Sequence, residues 1–94
     1  MTPLAAAKVQ LRESGLTWRD VGGEIVALDL ISSRYFSTNK TGACLWRALV
    51  NPVTRSELAQ IIQDEFQIPE QVAATDVRKF LETLNANGFL VASE

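Results

Sequence analysis

The stretch LDLISSRYFSTNKTG, residues 28–42, decides how this chain folds. An apolar segment ends at Asp29, breaks at Ser32-Ser33, and resumes as the short aromatic-bearing RYFS before reaching Asn39 and Gly42. Asn39 suits a helix N-cap, because its side-chain oxygen can accept from a free backbone N–H of the first helical turn. The stretch therefore predicts strand, turn, short strand and helix with no linker between them. It holds no nucleophile beside a base, no metal-ligand cluster and no phosphate-binding loop.

Upstream, LTWRDV alternates Leu16, Trp18 and Asp20 against Thr17, Arg19 and Val21, the period of a half-buried strand. Gly22-Gly23 supplies the positive φ angles of a tight hairpin turn, and EIVALDL returns as the second strand. RYFS is then the third. KVQLR, residues 8–12, carries the same alternation more weakly. Residues 1–7 are expected to be disordered, and residues 8–94 to form one domain.

Downstream, KTGACLWRALV presents Leu45, Trp46, Leu49 and Val50 on one side and must stop before Pro52. Thr54 and Glu57 have capping-box spacing for a second helix. Its stripe is Leu58, Ile61, Ile62 and Phe66. Pro69 falls in the first turn of a third helix carrying Val72, Val77, Phe80, Leu81 and Leu84, and Gly88 sits where a left-handed terminal residue belongs. FLV, residues 89–91, has the composition of a closing strand. A small antiparallel three-stranded sheet followed by three helices predicts an α+β, winged helix-turn-helix fold.

Ninety-four residues, 47% hydrophobic and 21% charged, suit one soluble globular domain. No apolar run reaches the ~20 residues of a membrane helix, and the N-terminal stretch lacks the pattern of a signal peptide. With no histidine and one cysteine, the chain lacks the commonest general base, cannot form an internal disulfide, and is a poor zinc ligand set. Cys44 lies in a helical apolar pattern, as a small core filler does. Asp29, Asp64, Glu65 and Asp76 are scattered carboxylates rather than an acid/base pair. These features predict a cytoplasmic, cofactor-free and metal-free protein that is not an enzyme.

A winged helix raises DNA binding as the alternative function, in transcription or a related role. Against it, the third helix sets Glu70, Asp76 and Glu82 against Arg78 and Lys79, with no basic cluster to neutralise phosphates. Net charge is −2, divided as +2 over residues 1–52 and −4 over 53–94. Peptide binding fits better. A third strand between a hairpin and a helix has one sheet neighbour and one open side, whose N–H and C=O groups can receive an extended peptide. Tyr35 and Phe36 face opposite sides of it by alternation.

The run GGEIVALDLISSRYFSTNKTGACLWRAL with TRSELAQIIQDEFQIPEQVAATDVRKFLETLNANGFL resembles the PqqD-like proteins over about residues 16–91. These are precursor-recognition elements of pathways that modify ribosomally made peptides. The short form is most similar to the recognition protein of lasso-peptide pathways. The resemblance implies a non-catalytic module that binds the leader of a precursor peptide as an antiparallel strand beside the third strand, with the third helix as the other wall. It implies a separate cysteine protease that removes the leader and an ATP-dependent cyclase that closes the ring. Carried to matching positions, the strand wall is Arg34, Tyr35, Phe36 and Ser37, and the helix wall is Asp76, Val77, Phe80 and Leu84. One position departs from the pattern: Thr38 stands where the family often has leucine, which implies a less apolar base to the cleft.

Overall fold

Gly22 and Gly23, both at positive φ (63° and 87°), turn the chain between β2 (Leu16–Val21) and β3 (Glu24–Asp29). The pair is antiparallel from Leu16 opposite Asp29 to Val21 opposite Glu24. A second turn over residues 30–33, with Ser33 at φ 60°, delivers β4 (Arg34–Ser37) antiparallel to β3. These three strands form one sheet in the order β2-β3-β4. The structure is a computed structural model describing residues 7–93, so the disordered segment expected over residues 1–7 lies, except for Ala7, outside the described residues.

Three helices follow, at α1 (Lys40–Ala48), α2 (Arg55–Phe66) and α3 (Glu70–Ala86). The N-caps of α1 and α2 are side-chain caps made locally. The Asn39 side chain accepts from the Gly42 N–H at 2.8 Å. Thr54 and Glu57 close a reciprocal capping box at 3.1 and 2.9 Å. Pro69, expected inside the first turn of α3, instead precedes it as an extended N-cap residue with no side-chain cap bond, and Gly88 beyond the helix end takes φ 74°.

A single sheet was expected, but there are two. β1 (Lys8–Leu11) lies between β5 (Val53–Thr54) and β6 (Leu90–Ser93), antiparallel to both, in the order β5-β1-β6. The weak alternation of KVQLR and the terminal FLV are thus two halves of one pairing. The β5 strand arises because Pro52 and the N-cap Thr54 both require extended backbone between α1 and α2. β1 supplies the hydrogen-bond partners that these short segments lack on their own.

The core joins both sheets to the helices through Leu11, Ile25, Ala27, Leu45, Trp46, Leu49, Leu58, Ile62, Leu81 and Phe89, all buried. The two apolar helix stripes run slightly past it, since Val50 and Val72 are exposed. Arg12 ties the sheets together by pairing with the buried Asp29 at 2.8 Å.

Thr38 ends the β3–β4 ladder. Its N–H donates to the Ile25 carbonyl at 3.0 Å, and its hydroxyl accepts from the Ile25 N–H at 3.2 Å. The side chain thereby completes a bond that the backbone cannot make once it turns into α1. Thr38→Val keeps the shape and strands that buried N–H, so it is expected to lower stability by about 1–3 kcal/mol. Denaturant unfolding at unchanged m-value measures the loss.

Candidate functional site

β4 is the last strand of its sheet, so one of its sides has no strand partner. The Thr38–Ile25 bond fixes the parity of its backbone. In an antiparallel ladder, alternate residues turn their N–H and C=O the same way. Phe36 opposite Ala27 and Arg34 opposite Asp29 therefore bond toward β3. Tyr35 and Ser37 direct theirs to the open edge.

Side chains alternate as well. Tyr35 is 77% exposed on the outer sheet face, across from Leu28. Phe36 points inward, stacked on Trp46 with centroids 5.9 Å apart and edge-on to Phe89 at 5.3 Å. Arg34 and Ser37 are exposed.

α3 is the helix expected to form the second wall. Ala73, Val77, Leu81 and Leu84 recur at helical spacing and are buried in the core. Asp76 and Phe80 lie one turn apart and half-buried. Phe80 rests on Gly42 of α1: a β-carbon built there would lie 3.0 Å from Phe80 Cε1 and 3.0 Å from Thr38 Cβ. Phe80, Gly42 and Thr38 thus join the end of β4 to α3 through the first turn of α1. Gly42 has this part because it lacks a side chain, and a glycine inside a helical pattern is the sequence signal of close approach.

Of the eight residues expected to line the cleft, Arg34, Tyr35 and Ser37 are exposed on the open strand, and Phe36, Asp76 and Phe80 are half-buried. Val77 and Leu84 pack in the core, with almost no surface to offer a ligand. Thr38 is buried, and its hydroxyl is engaged by the sheet rather than by any cleft.

Asp29 shapes the turn that leads into β4. Its carboxylate accepts from the Ile31 N–H (3.0 Å), the Ser32 hydroxyl (3.0 Å) and Arg12 (2.8 Å). Burial alone would raise this carboxyl, but those three donors outweigh it and hold the group below its usual range. Cys44 behaves oppositely. Burial, and then the negative charge of Glu65, raise its thiol against the weaker pull of Arg47. At neutral pH it is a protonated, half-buried thiol and a poor nucleophile. Among the described residues no group of three potential metal ligands is assembled, and no helix is long and apolar enough to cross a membrane.

The Asp29 contacts predict a pH dependence. Its folded pKa lies below the unfolded value of about 3.9, so the stabilisation is complete above roughly pH 4 and is lost as pH falls through the lower folded value. Glu57, lowered by the N–H and hydroxyl of Thr54, acts in the same direction. Asp29→Asn is expected to lower Tm at neutral pH and to show a shallower acid decline than the wild type. Parallel Tm-against-pH curves would assign the acid loss to other carboxylates.

A family model described as coenzyme PQQ synthesis protein D (PqqD) matches residues 24–90. No curated protein matches the chain. Two solved structures share its fold. One is TbiB1 in complex with the TbiA(beta) leader peptide, 21% identical, with a TM-score of 0.80 over 90% of this chain and 98% of that one. The other is lasso peptide synthetase B1 complexed with the leader peptide, 23% identical, with a TM-score of 0.76 over 88% of this chain and 96% of that one.

Proposed function

The chain belongs to the PqqD family, whose members are non-catalytic binding modules, and from that footing we propose that it recognises the leader of a ribosomally made precursor peptide of the lasso class. The leader adds as an antiparallel strand along β4, with α3 as the second wall, in a winged helix-turn-helix adapted to peptide binding. A separate cysteine protease then receives the bound leader for cleavage, and an ATP-dependent cyclase closes the ring of the remaining peptide. The pathway is cytoplasmic.

One observation carries this reading. The open edge of β4 presents the backbone groups of Tyr35 and Ser37 in a fold shared with two proteins solved with leader peptides. The inner side of an added strand meets Phe36, Asp76 and Phe80, and its outer side meets Tyr35 and Ser37. Val77 and Leu84 support the helix wall from behind. The surface of α3 gives duplex DNA less purchase, since Arg78 is paired with Glu82 at 3.2 Å and leaves Lys79 among acidic neighbours.

The parity of β4 makes the proposal testable. Two residues bonding outward engage two leader amides, two positions apart. N-methylating leader amides one at a time should weaken binding at those two positions by about 0.5–1.5 kcal/mol each, and hardly at the position between. On the protein, Phe36→Pro should damage folding by deleting a bond to β3, whereas Ser37→Pro should spare the sheet and weaken the leader. Calorimetric titration beside thermal unfolding separates these effects. A flat N-methylation profile means that the leader is not held as a strand.

A further inference from the structure

Arg12, in the segment between β1 and β2, uses its side chain unusually fully. Nε donates to the Ser14 carbonyl at 2.9 Å and Nη1 to the Gly88 carbonyl at 2.8 Å. Nη2 donates to the Gly15 carbonyl at 3.2 Å and to Asp29 Oδ1 at 2.8 Å. Four of the five guanidinium N–H groups are engaged. The guanidinium carbon also lies 5.9 Å from the centroid of Phe89, and the Arg12 N–H donates to the Phe89 carbonyl at 2.7 Å.

Two of these contacts belong to opposite walls of the proposed cleft. Gly88 lies just beyond the end of α3. Asp29 heads the turn into β4, which it holds through Ile31 and Ser32. At the other end of the cleft, the walls meet through Phe80, Gly42 and Thr38. Phe80 to the end of α3 at Ala86 is six helical steps, about 9 Å, with Gly88 two residues beyond it, and Thr38 to Arg34 is four extended steps, about 14 Å. The two links therefore lie at opposite ends of β4: Phe80, Gly42 and Thr38 where the strand finishes, and Arg12, Gly88 and Asp29 at the turn before it starts.

We propose that Arg12 is a positioning residue: by holding Gly88 and Asp29 at once, it sets the separation of α3 and β4 and so pre-organises the cleft for the leader. The proposal rests on the leader-binding reading above. It requires arginine, because only the planar fork reaches a carbonyl on one wall and a carboxylate on the other. Arg12 also ties the two sheets together, so its part in the fold and its part as a brace are read by separate measurements.

The test has two arms. In the first, spin labels are attached after Tyr35→Cys and Thr83→Cys in a Cys44→Ala background, and the inter-label distance is measured in the free protein. Arg12→Lys, which keeps the charge and loses the fork, should broaden and shift that distribution. A second label pair, from Ser37→Cys and Lys79→Cys, reports the end braced by Gly42 and should not change. An unchanged distribution at the Tyr35 and Thr83 pair, in protein shown by circular dichroism to be folded, overturns the proposal. In the second arm, the TbiA(beta) leader peptide is titrated well below the Tm of each variant. Arg12→Lys and Asp29→Asn should each bind it roughly tenfold more weakly than wild type, the expected cost of binding to a site that must first be ordered. Equal affinity in folded variants reduces Arg12 to a structural role and also overturns the proposal. Failure of the wild type to bind the peptide counts against the leader reading, while the distance arm still decides the role of Arg12.

Discussion

Trp46 is the side chain against which the rest of the molecule settles. Fully buried on α1, it meets Trp18 of β2 edge-on at 6.1 Å, Phe36 of β4 in a stack at 5.9 Å, and Phe89 edge-on at 6.0 Å. One indole thus gathers both edge strands of the β2-β3-β4 sheet and Phe89, which lies between α3 and β6. Its Nε1 has no hydrogen-bond partner, which marks how apolar that environment is. The clamp on Phe36 also fixes β4. Because strand side chains alternate, holding Phe36 inward commits Tyr35 to the outer face and fixes the register.

Local chemistry made most of the elements legible in the sequence. Asn39, the Thr54–Glu57 box, the Gly22-Gly23 turn and Gly88 act within a few residues of themselves, and each is found in its expected part. The second sheet was not legible in the same way. KVQLR and FLV are too short to announce a strand alone, and each becomes one because the other lies beside it in space. The site was half legible. Strand parity separates Tyr35 from Phe36, but helical spacing gives Asp76, Val77, Phe80 and Leu84 one broad stripe. Only the packing of α3 against its neighbours places Val77 and Leu84 inside and leaves Asp76 and Phe80 at the rim. Arg12 gave no signal at all, since its meaning lies in carbonyls supplied from distant parts of the chain.

The charges obey a similar division. The Arg78–Glu82 and Arg47–Asp20 pairs are exposed, and pairs of that kind contribute little. Arg12–Asp29 differs because it is largely buried and every oxygen of its carboxylate is engaged. Removing one partner would leave the other without compensation in a place that water reaches poorly.

The pairing of β1 with β6 has a consequence for the order in which the protein can be made. These strands open and close the described chain, and the Arg12–Gly88 bond beside them spans 76 residues. Contacts of such separation bring their reward only after a long loop has been closed. On the ribosome, β2, β3, β4 and α1 emerge early and can associate, since their contacts are local. β1 must wait, with one edge unfilled, until β6 has been synthesised. A nascent chain therefore carries a formed β4 edge before the other wall is fastened in place. The fastening of the end of α3 beside the turn into β4 is a step that arrives late in synthesis.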